Sequence, residues 1–166
     1  VCSSDLPFLA LPGHSLQLSD PVAVADQLTT VLPVLSCDAV ERENRSQPFR
    51  CHLAGLRLGP LSLVALWGNG LRGEVDGTRE ASFILPYRGS GRFRVEGRSL
   101  ANVAGQTILY LPPAPWRTSN DAMGGITVRL DPALLRHVGQ SMAGPQVRAE
   151  HWRTLGSQPL MLQSDQ

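Results

Sequence analysis

"SFILPYRGSGRFRVEGRSLANVAGQTILYLPPAPWRTSNDAMGGITVRLDPALL", residues 82–135, decides the fold class. Short apolar runs alternate with Gly and Pro punctuation, and within the runs apolar and polar positions take turns. Phe93 and Val95 stand against Arg92, Arg94 and Glu96; Ile126, Val128 and Leu130 stand against Thr127 and Arg129. A period of two marks a strand with one buried face. Glycine supplies positive φ without steric cost and proline pre-sets a turn. Gly89-Ser90-Gly91, Gly97, Gly105, Pro112-Pro113 and Gly124-Gly125 are therefore expected to separate strands.

The same texture extends back to Phe49. "RCHLAGLRL" and "LSLVALW", punctuated by Gly59-Pro60, Gly68-Asn69-Gly70 and Asp76-Gly77, complete a series of short runs. Their spacing of roughly eight to twelve residues is that of an antiparallel sandwich or barrel. Such close turns favour a meander, and closure into a barrel would remove exposed edges. Residues 49–130 are thus expected to form an antiparallel β-barrel.

Helices are expected on either side of it. Within residues 7–48, "SDPVAVADQLTTVL" (19–32) offers a Ser/Asp cap, Pro21 in the first turn, and Val24, Leu28, Val31 and Leu32 at helical spacing. Pro33 ends that helix, and the charged stretch 38–48 reads as a connector. Beyond the strands, residues 131–145 carry Asp131 as cap and Pro132 as first helical residue. Leu134, Leu135, Val138 and Met142 share one face there, suited equally to the barrel or to a dimer partner. Residues 146–166 are weakly patterned and read as a linker. At the other end, "VCSSDL" (1–6) has neither a basic nor an apolar segment of the secretory kind. It reads like a translated sequencing adapter, so Cys2 is set aside.

Composition narrows the function classes. A chain of 166 residues suffices for one domain, burying roughly 70% of its unfolded surface. Hydrophobic content of 42% with 17% charged residues excludes a disordered chain. No apolar run approaches the ~20 residues of a membrane-spanning helix. All fifteen basic residues are Arg, scattered along the chain with a net charge of +1. That pattern reads as codon usage of a GC-rich genome; no basic stripe for nucleic acid is visible. Cys37 and Cys51 lie in no Cys-x-x-Cys pair and are expected to be reduced thiols of a cytoplasmic protein, a bridge between them being the lesser alternative.

Catalytic chemistry is sparse. His14, His52, His137 and His151 form no H-x-H or H-x₃-H pair, so no metal or other cofactor is expected. There is no G-x-S-x-G elbow, and the "GNGLRG" at 68–73 lacks the strand–turn–helix context of a phosphate cradle. Glu74, Asp76 and Glu80 cluster near a turn and read as a solvated face. No catalytic residue is expected. What remains is a set of aromatics that a barrel could aim inward, namely Trp67, Phe83, Tyr87, Tyr110 and Trp116. Arg94, or its neighbours Arg88 and Arg92, could hold an acidic group. These make the candidate effector pocket, although aromatics in a small barrel are most often core.

Residues 82–135 resemble the N-terminal cupin-like sensor domain of AraC-type transcriptional regulators, of the AraC-binding-like subgroup. The features are Leu85-Pro86-x-Arg88-Gly89, Val95-x-Gly97-Arg98, Ala104-Gly105 ahead of a strand and proline turn, and a last strand running into Pro132-Ala133-Leu134-Leu135. The resemblance covers roughly residues 20–160. It implies a mainly β fold with flanking helices, a cupin-like antiparallel β-barrel of the double-stranded β-helix or jelly-roll type. In metal-binding cupins a Pro-x-Gly turn delivers a ligating His; here Ala114 replaces the turn Gly and Trp116 lies where a ligand would stand. The family implies an effector-sensing or dimerising role without metal, a small-molecule effector and a homodimer in the full-length protein. DNA would be contacted only through two helix-turn-helix units following this domain, and no membrane is involved. The alternatives are a stand-alone metal-free cupin binding a small molecule, a cupin-type enzyme, or a pure dimerisation module. A side-chain-filled barrel would favour the last; a cavity of a few hundred Å³ with a buried Arg would favour sensing.

Overall fold

The computed structural model describes residues 15–40, 48–143 and 148–163. The 1–6 and 41–47 stretches lie outside them. Two strands organise everything else: β6 (Ala81–Val95) and β9 (Trp116–Leu130), fifteen residues each. They pair antiparallel along their whole length, from Ala81 opposite Leu130 to Val95 opposite Trp116. At one end they belong to a larger sheet. There β9 continues to β4 (Leu61–Gly68), β3 (Cys51–Leu58) and β1 (Leu16–Leu18), while β6 continues to β8 (Thr107–Leu111) and β10 (Leu160–Gln163). At the other end β9 pairs with β5 (Leu71–Val75), which pairs with β2 (Val34–Ala39), and β6 turns back into β7 (Arg98–Val103).

This ladder corrects two expectations. The Gly89-Ser90-Gly91 and Gly124-Gly125 pairs are not turns between strands; they are bends inside β6 and β9. The register shifts between Pro86 and Arg88 and again between Ser90 and Gly91, so the ladder changes direction there. The reason is steric. Gly89 has φ +67°, and a Cβ on it would lie 2.0 Å from the Ala122 carbonyl oxygen; a Cβ on Gly124 would lie 2.5 Å from the Tyr87 ring. Nor is the chain a meander. β3–β4 and β6–β7 are hairpins, but β9 sits against β4, β5 and β6, as in a jelly roll.

The core fills the space between the sheets with Val64, Ile84, Phe93, Leu109, Leu111 and Trp116, all buried. The first helix, α1 (Pro21–Leu28), closes one side. Asp20 caps it, its Oδ1 accepting from the Val22 amide at 3.0 Å, and Val24, Leu28 and the following Leu32 insert into the core. The helix is shorter than the 19–32 pattern because residues 29–31 form a turn that leads into β2.

The far end also departs from expectation. The 146–166 stretch is not a patternless linker: α3 (Ala149–Ser157) and β10 fold back onto the barrel, β10 pairing with β8 from Leu160 opposite Tyr110 to Gln163 opposite Thr107. The Tyr110 hydroxyl donates to the Leu155 carbonyl at 2.5 Å, tying α3 to the outside of β8. Before it, α2 (Pro132–Ala143) is capped by Asp131, whose Oδ1 accepts from the Ala133 amide at 2.6 Å. None of its residues is buried. The Trp152 ring of α3 lies over Gly139, where a Cβ would come 2.2 Å from a ring carbon.

One ion pair is taken into the interior. Arg129 is 3% exposed and pairs with Glu80 at 2.9 Å, while its Nη1 donates to the Val31 carbonyl at 3.4 Å. Burial lowers its pKa and Glu80 opposes that shift. Removing one partner of a buried pair leaves the other uncompensated. Glu80→Gln is therefore expected to lower unfolding stability by roughly 3 kcal/mol in urea titrations. An Arg129→Met, Glu80→Gln double variant should recover part of that loss. A single variant within about 0.5 kcal/mol of the parent would mean that solvent already screens the pair.

Candidate functional site

The alternation of each strand separates an interior from two outer faces, and these three places divide the candidate residues. The interior holds a cavity of about 80 Å³. Its walls are mostly apolar: Leu28 and Leu32 from the α1 side, Val64 and Ile84 from the larger sheet, Phe93 and Met123 from β6 and β9. Trp116 lines it too, its ring 5.8 Å from that of Phe93. The Trp116 Nε1 and Thr118 Oγ1 atoms are buried without a protein hydrogen-bond partner, and both residues line this cavity. No arginine does.

Among the described residues no three His, Cys, Asp or Glu side chains gather into a metal-binding group. Cys37 is, among the described residues, the one His, Cys, Asp or Glu side chain in the cavity lining, and its thiol is held protonated by burial. His52 lies outside the barrel with its ring edge-on to Trp67 at 5.4 Å, His137 and His151 are exposed on α2 and α3, and His14 lies outside the described residues. The three carboxylates near residue 76 have partners of their own: Glu74 pairs with Arg117, Glu80 with Arg129, and Asp76 accepts from the Thr78 amide.

The six candidate pocket residues do not converge. Trp116 alone reaches the interior cavity. Trp67 and Tyr87 sit on the outer face of the larger sheet, around Ala54, Ala65 and Ile126. Arg88 lies over the Trp67 ring at 5.6 Å. Phe83 and Tyr110 are also on that outer face, their rings 5.0 Å apart. Arg94 lines a different concavity, on the outer face of the smaller sheet, together with Arg72, Arg92 and Arg117. Sequence reasoning singled out Arg92 and Arg94 but missed Arg72 and Arg117, which the strand register brings beside them.

No family model and no curated protein matches the sequence. Solved structures do. The chain is similar to the AraC-like transcriptional activator CuxR, with a TM-score of 0.58 and 14% identity over 78% of this chain and 52% of that one. It is also similar to the cupin domain of Schizosaccharomyces pombe Cnp3 (TM-score 0.45, 9% identity, 59% and 76% covered). A cupin-2 domain protein from Rhodospirillum rubrum aligns as well (0.41, 20%, 65% and 88%). The barrel is cupin-like. At these identities the likeness concerns the fold, and the chain spans about half the length of the activator. No described helix is long and apolar enough to cross a membrane.

Both described cysteines are free and buried, Cys37 on β2 and Cys51 on β3. Burial pushes the Cys51 thiol up to about 12, with Cys37 adding to the shift, and pushes Cys37 up to about 11, with Asp38 adding. Both thiols ionise near 9 in the unfolded chain, so between pH 9 and 11 the folded state binds more protons. Stability then falls as pH rises, by up to about 1.4 kcal/mol per pH unit for each thiol. Denaturant titrations from pH 8 to 11 should show that decline, and a Cys37→Ala, Cys51→Ala variant should flatten it. An equal slope in the variant would assign the decline to other groups, the raised Tyr110 phenol among them.

Proposed function

We propose that the chain is the dimerisation and effector-sensing domain of an AraC-type transcriptional regulator. The observation that carries this reading is the outer face of the larger sheet. Register places Leu56, Leu63, Val128, Phe83, Tyr110 and Leu160 side by side on six successive strands. Tyr110 is buried and tied to α3, Leu63, Val128, Phe83 and Leu160 are half-buried, and the row is open at its β3 end. Leu56 is 42% exposed, and Leu58, next along its strand on the same face, is 51% exposed. An open apolar edge continuous with a half-buried apolar row supports reading this end of the face as an interaction site. The α2 helix adds a second uncovered surface: Leu134 and Leu135 are half-buried, while Val138 and Met142 stay exposed. A second copy of the chain would cover both, as the isologous contact of a two-fold dimer requires.

The likeness to an AraC-like activator directs that dimer toward transcription regulation. A cavity of about 80 Å³ is a fraction of the several hundred Å³ that a sugar-sized ligand fills, so dimerisation supports the reading more than the interior does. The cupin-enzyme alternative draws no support from the interior, where the described residues gather no set of metal ligands and no acid–base pair.

Sedimentation of the chain at about 100 µM should report a dimer, and Leu56→Asp with Met142→Asp should convert it to a folded monomer. A parent chain that sediments as a monomer would overturn the dimerisation half of the proposal. The regulatory half has its own test. Long-read sequencing of the locus should extend the frame past Gln166 into two helix-turn-helix units. A frame closing directly after Gln166 would remove that half and leave a free-standing binding barrel.

A further inference from the structure

The outer face of the smaller sheet carries charge where the larger sheet's carries apolar area. Two adjacent rungs of the β2–β5–β9–β6–β7 ladder define it. One rung reads Ser36, Glu74, Arg117, Arg94, Ser99; the next reads Asp38, Arg72, Ser119, Arg92, Ala101. Neighbouring strands lie about 4.8 Å apart and the two rungs about 7 Å apart. Four arginines therefore ring a patch only a few strands wide, with serines between them and at its ends.

The patch is concave. It encloses about 470 Å³, lined by those four arginines with Ser36, Glu74, Ser99 and Ser119 among others. Small side chains make the floor and long ones the rim. Glu74 holds Arg117 in a two-point pairing, Nε to Oε2 at 3.0 Å and Nη2 to Oε1 at 3.1 Å. Arg72, Arg92 and Arg94 have no ion-pair partner among the described residues; Asp38 stands opposite Arg72 in register without pairing to it. Arg94 and Arg117 face each other directly across β6 and β9. Like charges so placed repel, and the arrangement is relieved when an anion sits between them.

We infer that this cleft is a binding site for a small organic anion bearing two or more phosphate or carboxylate groups. Guanidinium forks match the oxygens of either group in a two-point geometry, and serine hydroxyls supply further donors. The volume lies within the range of small-molecule sites. A single-stranded nucleic acid fits less well. Such ligands need exposed aromatic platforms beside the basic track; among the described residues no aromatic lines the cleft, and Trp116, which lines the adjoining concavity, is 4% exposed. The inference does not depend on a regulatory role, because binding is read on the chain alone.

Calorimetric titration with pyrophosphate and with citrate, at about 0.15 M salt, tests it. At least one should bind with a dissociation constant below about 1 mM and raise the thermal midpoint. Arg94→Gln and Arg92→Gln should each weaken that binding about tenfold or more, whereas Arg153→Gln, on α3 and outside the cleft, should not. Preference for pyrophosphate would identify a phosphorylated ligand and preference for citrate a polycarboxylic one. The inference is overturned if neither anion binds, if Arg94→Gln binds as well as the parent, or if only a single-stranded oligonucleotide is held.

Discussion

The ladder between β6 and β9 is the constraint on which the rest of the structure hangs. Each strand is long enough to belong to both sheets, and the bend that lets it do so depends on backbone contact at Gly89. A side chain there would meet the Ala122 carbonyl at 2.0 Å in a conformation that L residues avoid. With the bend in place, β9 brings β4 to one end and β5 to the other, and β6 does the same for β8 and β7. The two sheets then close over one core rather than extending as one flat, edge-exposed sheet.

The same bend sorts side chains into three environments. Interior positions are filled by Phe93, Trp116, Met123 and the aliphatic residues, leaving about 80 Å³. The smaller sheet turns arginines outward because Phe93 and Val95 turn inward, a simple consequence of the pleat. The larger sheet is apolar on both faces. Strands covered on both faces read as near-continuous hydrophobic runs, and "LSLVALW" is one of them. An antiparallel sheet with water on one side has no use for such a run, so its composition already points to something lying against it.

How much of this was legible follows from that contrast. In the smaller sheet strict alternation fixed the parity of Phe93, Val95, Arg92 and Arg94 from sequence alone, and the caps at Asp20 and Asp131 announced their helices. In the larger sheet parity could not be read. Trp67, Phe83, Tyr87 and Tyr110 were grouped as inward-facing, and they face outward; when both neighbours of an aromatic are apolar, only closure of the barrel says which way it points. The long strands were hidden for a different reason. Gly-Ser-Gly inside a strand and Gly-Ser-Gly in a turn look alike, and the difference is a tertiary contact 33 residues away, at Ala122. The α3–β10 tail was missed because its pairing partner, β8, lies some fifty residues back.

The arginines show the limit most sharply. Positions 72, 92, 94 and 117 are far apart in a chain of net charge +1, so they read as scattered codon usage; strand register alone brings them within two rungs. Composition therefore misleads about electrostatics whenever β pairing is long-range, because potential depends on which strands are neighbours rather than on a residue count. That reasoning also separates the surfaces by mechanism. Apolar faces associate through area removed from water and are nearly indifferent to salt. A guanidinium cluster binds through charge and weakens as salt rises. Two kinds of contact on opposite sides of one barrel can be made together or separately. A shared pair of strands, β6 and β9, runs beneath both.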